Sequence, residues 1–165
     1  VRQFYPDAAV IETPGTLDGG DVCEADGHFL IGISARTNAE GARQLAGHLG
    51  RFGYTSGILD IRTNPRLLHL KSGIAYLGDG RWVADGSIEA ELRSQDGISA
   101  RDVISPAPEE AYAANCVRIN DTLIAAAGYP TMSAALRSRG CRVVHLEVSE
   151  FRKMDGGLSC LSLRF

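Results

Sequence analysis

The chain has 165 residues, of which 44% are hydrophobic and 22% charged, and its net charge is -3. This composition is typical of one globular domain with a substantial apolar core. No basic cluster indicates a nucleic-acid partner, and no apolar run reaches the roughly 18 residues that a membrane span needs. The four cysteines are far apart and lack CxxC spacing, so the sequence favours a reducing, cytoplasmic setting over a zinc site or a disulfide framework.

The first clear structural unit is a hairpin followed by a helix and a strand. Its turn is Asp26-Gly27, which lies between two apolar segments and is typical of a two-residue hairpin turn. Thr37 and Glu40 form a capping box, and apolar residues follow at helical spacing. We therefore predict a helix that ends at Gly53 and, after it, a strand over residues 57–61.

The same order of elements recurs twice, with a period of roughly 40–50 residues. The second unit has predicted strands over 68–77 and 81–84, a helix over 87–93 and a strand over 102–104. The third has predicted strands over 113–119 and 123–126, a helix that ends at Gly140 and a strand over 142–146. Partial units are predicted at both ends, with a turn at 5–7, a strand over 9–11 and a strand over 158–163. A doubly wound sheet does not need a hairpin in every unit, so we favour radial repetition around an axis.

Chemically reactive side chains fall at equivalent points, where the first strand of each unit begins. These are Asp18 and Asp21, then His69, then Asn115, then Cys160. Equivalent positions of a radial array converge on its axis, which predicts a thiol nucleophile beside an imidazole and carboxylates. Each residue also has a structural alternative: a buried cysteine, a hydrogen-bonded core histidine, turn-forming aspartates and an asparagine bonded to nearby backbone.

Six segments carry a resemblance to a known family: TLDGGDV (16–22), ISARTNAEGARQLA (33–46), LHLKSGIAYL (68–77), AYAANC (111–116), AAGYP (126–130) and EFRKMDGGLSCLSLRF (150–165). Together they resemble the dimethylarginine dimethylaminohydrolases of the guanidino-group-modifying, or pentein, superfamily, whose fold is a five-module β/α-propeller. The resemblance extends over nearly the whole chain. Lys71 favours this family over the arginine deiminases, which usually carry Asp at that position.

The resemblance implies a catalytic role for three residues. Cys160 matches the nucleophile, His69 the general acid/base, and Asp18 the acid that binds the guanidinium group, which is often Glu in the family. The implied reaction hydrolyses Nω-methylated arginine to citrulline and dimethylamine or methylamine through a Cys-thiouronium intermediate. The implied chemistry needs neither a metal nor an organic cofactor.

The resemblance also implies contacts at the amino-acid end of the substrate. Asp21 matches a second acid of the same motif with a less settled role. Arg36 matches a contact to the substrate carboxylate, and Met154 matches a backbone contact to the α-amino group. Two alternatives remain: another guanidino-modifying enzyme, such as a deiminase or an amidinotransferase, and a non-catalytic propeller module that binds a partner.

The number of units also suggests how this chain relates to complete family members. It has α/β ββαβ modules, about three where the family has five. We therefore expect residues 1–165 to be one domain that forms the C-terminal portion of a larger propeller. Open strand edges would favour pairing with a second copy or with a separate N-terminal portion.

Overall fold

Three small sheets of three strands each form the framework of the described chain. The computed structural model describes residues 3–4, 8–98 and 100–162. The first module consists of β1 (Val22–Ala25), β2 (His28–Ile33), α1 (Ala39–Arg51) and β3 (Thr55–Asp60). The second consists of α2 (Leu70–Gly73), β4 (Ile74–Gly78), β5 (Arg81–Ala84), α3 (Glu89–Arg93) and β6 (Val103–Ile104). The third consists of β7 (Val117–Ile119), β8 (Thr122–Ala126), α4 (Pro130–Ser138), β9 (Arg142–Leu146) and α5 (Ser149–Arg152). Short 3-10 turns lie at Gly19–Asp21, Ala100–Asp102 and Pro108–Ala114.

Every sheet repeats one topology. The first two strands pair antiparallel, and the third strand joins the second in parallel after a helix. The three hairpin turns begin with residues in the left-handed region, namely Asp26 (φ 48°), Asp79 (φ 54°) and Asn120 (φ 53°). Short Asp and Asn side chains adopt this region more readily than other non-glycine residues, and tight hairpin turns require it. The predicted repeat of hairpin, helix and strand is therefore confirmed.

Four segments that were predicted as strands have other structures. Residues 9–11 are irregular, residues 70–73 form a single helical turn, residues 113–114 close a 3-10 turn, and residues 158–161 form a turn. These predictions were wrong because a short apolar alternation does not distinguish a strand from a tight turn. The turn predicted at 5–7 and residue 163 lie outside the described residues.

The capping residue of α1 is Asn38, one position after the predicted Thr37. The Asn38 side chain accepts a hydrogen bond from the Gly41 N–H at 2.8 Å. Thr37 is fully buried, and its hydroxyl donates to Asp21 at 2.7 Å and accepts from the Asp18 N–H at 3.0 Å. Its hydroxyl is thus engaged in tertiary contacts, so the neighbouring amide caps the helix.

Apolar side chains fill the space between successive modules. Leu30 and Leu59 of the first module pack with Ile74 and Trp82 of the second. A second cluster joins residues of the second and third modules, including Leu77, Val83, Leu123 and Leu136. β4 contacts both β1 and β7, so the first strands of the three modules lie side by side. This arrangement brings the residues before these strands to one end of the molecule.

The described helices are also informative about membranes. Of the helices in residues 3–4, 8–98 and 100–162, none combines the length and apolar character that crossing a bilayer requires.

Candidate active site

Asp18 lies at the centre of the candidate site and faces two basic side chains. Its Oδ1 atom accepts a hydrogen bond from the Gly20 N–H at 2.8 Å and lies 3.3 Å from His69 Nε2. Its Oδ2 atom lies 3.5 Å from a terminal nitrogen of Arg36. The carboxylate therefore connects His69 of the second module to residues 34–38 of the first, the loop between β2 and α1 (the Arg36 loop).

The surroundings of Asp18 favour its ionised form. Its pKa is lowered mainly by the Gly20 N–H, with further lowering from His69 and Arg36. Partial burial opposes these effects without reversing them. Asp18 is consequently a carboxylate at neutral pH, which is the form that binds a cationic guanidinium group.

His69 is buried at the start of α2, and its ring is pressed against a glycine. A methyl group at Gly20 would lie 2.5 Å from His69 Cγ, so only glycine leaves room for the ring at this position. Nε2 is close to Asp18 Oδ1, yet it lacks a well-aligned hydrogen-bond partner among the described residues. The ring is thus held more by packing against Gly20 than by its contact with Asp18.

Asp21 lies behind the site. It is fully buried, and its carboxylate accepts hydrogen bonds from the hydroxyls of Ser34 and Thr37, both at 2.7 Å. It also accepts the Leu70 N–H at 3.0 Å, beside His69. With both oxygens occupied, Asp21 joins the Arg36 loop to the start of α2 and presents no surface that a substrate could touch.

Cys160 is exposed in the turn that follows Gly157. Its N–H donates to the Gly157 carbonyl at 3.0 Å. Two side chains from other parts of the chain form hydrogen bonds to this turn. The Tyr112 hydroxyl donates to the Gly156 carbonyl at 2.7 Å, and the Asn115 side chain bonds the residue preceding Cys160. Burial raises the pKa of Tyr112, and the nearby Cys160 thiol adds to this effect.

A cleft of about 760 Å³ adjoins these groups. Its lining includes Leu68, Tyr112, Asn115, Arg152 and Gly157, so the residue before His69 and a residue three positions before Cys160 form part of its wall. Asp18, His69 and Cys160 are not among the lining residues. The Arg152 guanidinium lies 5.0 Å from the centre of the Tyr112 ring, a cation–π contact that stiffens the wall next to the Cys160 turn.

The remaining predicted contact, Met154, lies just after α5. Its side chain is 85% exposed, and its N–H donates to the Phe151 carbonyl at 3.0 Å. The following residue, Asp155, has φ 56° and lines the cleft. Met154 therefore directly precedes a residue that lines the cleft.

The structure thus brings Asp18 into contact with both His69 and Arg36. It shows no direct contact between these described side chains and Cys160, whose turn is linked to α2 through Asn115. The sequence did not indicate that Gly20 packs against the His69 ring, or that Tyr112 and Ser159 form the hydrogen bonds that hold the Cys160 turn. A glycine beside an acid and a tyrosine in an alanine-rich segment carry no signal without the tertiary contacts. In residues 3–4, 8–98 and 100–162, no three His, Cys, Asp or Glu side chains converge in a metal-binding arrangement.

Comparison with known proteins gives consistent matches, although no family model matches the chain. A dimethylarginine dimethylaminohydrolase of Pseudomonas aeruginosa is 42% identical over 166 residues, which cover 100% of this chain and 63% of that protein. A protein of the same name from Streptomyces coelicolor is 32% identical over 151 residues, which cover 92% of this chain and 55% of that protein. The chain therefore spans between 55% and 63% of the length of these curated relatives.

Solved structures show the same relationship. A Pseudomonas aeruginosa dimethylarginine dimethylaminohydrolase structure, a cysteine-to-serine variant complexed with citrulline, matches with a TM-score of 0.86 and 42% identity. The match covers 100% of this chain and 62% of that one. The N-terminal domain of a cyanobacterial arginine dihydrolase, at 20% identity and a TM-score of 0.81, shares the fold, covering 98% of this chain and 62% of its own.

The repeated ββαβ modules give the chain the fold of the guanidino-group-modifying superfamily. Within that fold, the relatives at 42% and 32% identity are both named dimethylarginine dimethylaminohydrolase. The chain is thus similar over its whole length to the dimethylarginine dimethylaminohydrolases.

Proposed function

We propose that the chain carries the nucleophile, the general acid/base and the guanidinium-binding acid of an enzyme that hydrolyses Nω-methylated arginine. The products are citrulline and dimethylamine or methylamine. The observation that supports this proposal most directly is the Asp18 carboxylate, which lies 3.3 Å from His69 Nε2 and 3.5 Å from Arg36. The turn that contains Cys160 is joined to α2, which follows His69, through the Asn115 side chain.

Substrate binding would use the charges at both ends of the site. Asp18, kept ionised by its surroundings, binds the guanidinium group through paired hydrogen bonds and places the central carbon near the thiolate. Arg36 has a side chain that is 54% exposed, so it can turn from Asp18 towards the substrate carboxylate. The Met154 carbonyl accepts a hydrogen bond from the α-amino group. Asp21 supports binding indirectly, because it holds the Arg36 loop against α2.

The first half-reaction forms a bond between Cys160 Sγ and the guanidinium carbon. The thiolate supplies the electron pair, and the carbon becomes tetrahedral. His69 then donates a proton to the methylated nitrogen, so dimethylamine or methylamine leaves with the electrons of the broken carbon–nitrogen bond. The remaining thiouronium group is attached to Cys160 and keeps the positive charge beside Asp18.

The second half-reaction consumes one water molecule. His69, now neutral, takes a proton from this water as its oxygen attacks the thiouronium carbon. The carbon–sulfur bond then breaks and its electrons return to Cys160 as a thiolate. The oxygen gives its remaining proton to solvent and becomes the ureido carbonyl of citrulline. The imidazolium and thiolate are restored for the next cycle.

A citrulline assay with asymmetric dimethylarginine tests the proposed function, with Cys160→Ser as its matched control. We expect citrulline from the unsubstituted protein and none above background from Cys160→Ser. Equal release by both proteins would show that the chemistry does not use this thiol. Parallel assays with arginine and monomethylarginine distinguish methylarginine hydrolysis from deiminase activity, which would convert arginine faster.

Two further properties are proposed on separate grounds. The four described cysteines are free thiols, which supports a reducing cytoplasmic location. Val144 and Leu146 on β9 are 44% and 45% exposed, and β9 is one of the two edge strands of its sheet. An apolar sheet edge favours association with another polypeptide, in particular a second copy of this chain.

A further inference from the structure

The Asn115 side chain forms hydrogen bonds both to α2, which follows His69, and to the turn that contains Cys160. Its Nδ2 atom donates to the Lys71 carbonyl of α2 at 3.0 Å and to the Ser159 hydroxyl at 2.9 Å. Its Oδ1 atom accepts the Ser159 N–H at 2.9 Å. Lys71 lies two residues after His69, and Ser159 directly precedes Cys160. One amide group thus connects the two catalytic elements across 44 residues of sequence in each direction.

The chemistry of the partners fixes the orientation of this amide. The Lys71 carbonyl can only accept a hydrogen bond, and the Ser159 N–H can only donate one. Rotating the amide by 180° would place its oxygen against the Lys71 carbonyl oxygen and its NH₂ group against the Ser159 N–H, so both hydrogen bonds would be lost. Asn115 is only 4% exposed, so water does not replace a lost partner readily, and a broken contact leaves a buried polar group unsatisfied.

The close approach of the Cys160 turn depends on Gly157. A methyl group at this position would lie 2.4 Å from Asn115 Nδ2. The glycine lets the turn pass directly over the amide, within hydrogen-bonding distance. Substituting Gly157 therefore offers a way to break the connection without changing Asn115.

We propose that Asn115 is a positioning residue that fixes Cys160 relative to His69. The inference rests on the proposed function, in which the histidine and the cysteine act on one substrate. Asn115 touches neither the substrate nor the reacting atoms. It holds the second and third modules in the alignment that lets the imidazole influence the thiol.

Two substitutions separate this role from simple stabilisation. Asn115→Asp keeps an oxygen for the Ser159 N–H but replaces the donor that faces the Lys71 carbonyl, so it breaks the connection to α2 specifically. Ser159→Ala is the matched control, because it removes the hydroxyl contact and keeps both the Lys71 bond and the backbone bond. Gly157→Ala breaks the connection independently, should Asn115→Asp fail to fold.

The experiment measures how strongly His69 influences the reactivity of Cys160. Iodoacetamide labels the thiols, and peptide mass spectrometry follows Cys160 alone; Cys23 and Cys116 are buried. The labelling rate is compared with and without His69→Gln in four backgrounds: unsubstituted, Asn115→Asp, Gly157→Ala and Ser159→Ala. Circular dichroism and thermal unfolding verify that each variant is folded.

We expect His69→Gln to change the labelling rate by about tenfold in the unsubstituted and Ser159→Ala backgrounds, because a neighbouring cation changes thiolate populations by such factors. In folded Asn115→Asp or Gly157→Ala protein, we expect less than about a twofold effect, because the two groups act independently once uncoupled. An undiminished effect of His69→Gln in both of these backgrounds would overturn the positioning role and leave the proposed function intact. No effect in any background would contradict the Cys160–His69 pairing itself, and the positioning role with it.

Discussion

Asp18 carries the negative charge at the centre of the candidate site. Among the groups that contact it, the Gly20 N–H contributes most to lowering its pKa, ahead of His69 and Arg36. The Gly20 N–H of the 3-10 turn is therefore the largest single contribution to stabilising this charge.

The lowered pKa of Asp18 predicts an acid-dependent loss of stability. Ionised Asp18 stabilises the folded state fully above the ordinary Asp value of about 3.9, and this stabilisation disappears as the pH falls through the lower folded-state pKa. Urea unfolding of the unsubstituted protein and Asp18→Asn should differ by no more than about 1 kcal/mol at pH 6, since the side chain is partly exposed. The difference should shrink towards pH 2. A difference that grows on acidification would contradict the assignment; exposed Asp96→Asn serves as the reference.

Gly20 provides a test of how the His69 ring is placed. A methyl group there would lie 2.5 Å from the ring, whereas a methyl group at the adjacent Gly19 meets nothing within 4 Å. Gly20→Ala should lower kcat/KM by about 10- to 100-fold, because small displacements of a catalytic group have effects of that order. Gly19→Ala should stay within about twofold. Citrulline kinetics on both variants measure this, and equal losses would show that ring placement does not depend on Gly20.

At the scale of elements, hairpin turns were the most predictable features. Asp26-Gly27, Asp79-Gly80 and Asn120-Asp121 each combine short polar residues that suit a left-handed backbone, so their sequence is sufficient to locate them. The segment over 158–161 was not predictable in this way. It alternates like a strand, but the side chains of Asn115 and Tyr112 bond its backbone into a turn. A partner more than 40 residues away leaves no local signal.

Helix α1 offers one substitution with opposite expected effects at two positions. At Gly41, an added methyl group would lie 2.0 Å from the Thr16 carbonyl, so Gly41→Ala should destabilise the protein by about 1–3 kcal/mol. At Gly47, which is exposed and meets nothing within 4 Å, alanine should stabilise it by about 0.5–1 kcal/mol. Urea unfolding of both variants measures these changes. Losses of similar size at both positions would indicate that helix propensity does not decide the outcome at Gly47.

At the scale of the whole molecule, the candidate site is assembled from all three modules. The first module supplies Asp18 and Arg36, the second His69, and the turn after the third supplies Cys160. The internal repeat made this convergence predictable, because equivalent positions of packed modules lie together. The repeat could not predict which polar groups are buried and hydrogen-bonded between segments, as Asp21 is, because burial depends on the neighbouring modules.

The exposed apolar edge of β9 predicts self-association. Light scattering of the unsubstituted protein should show an apparent mass that rises with concentration, because Val144 and Leu146 offer an apolar strand edge. The double substitution Val144→Lys and Leu146→Lys should abolish this rise, since charged side chains oppose edge pairing. Ser138→Lys on α4 is the control for added charge alone. A clean monomer of the unsubstituted protein at high concentration would contradict the prediction.

The hairpin turns and the reactive groups occupy opposite ends of the innermost strands. The four residues of β1 separate them by about 13 Å. One pole of the molecule therefore carries the candidate site, and the other consists of short polar turns. Substitutions or insertions in the hairpin turns can therefore be made at a distance from Asp18 and His69, which makes the turns suitable places for a label or tag that leaves the candidate site untouched.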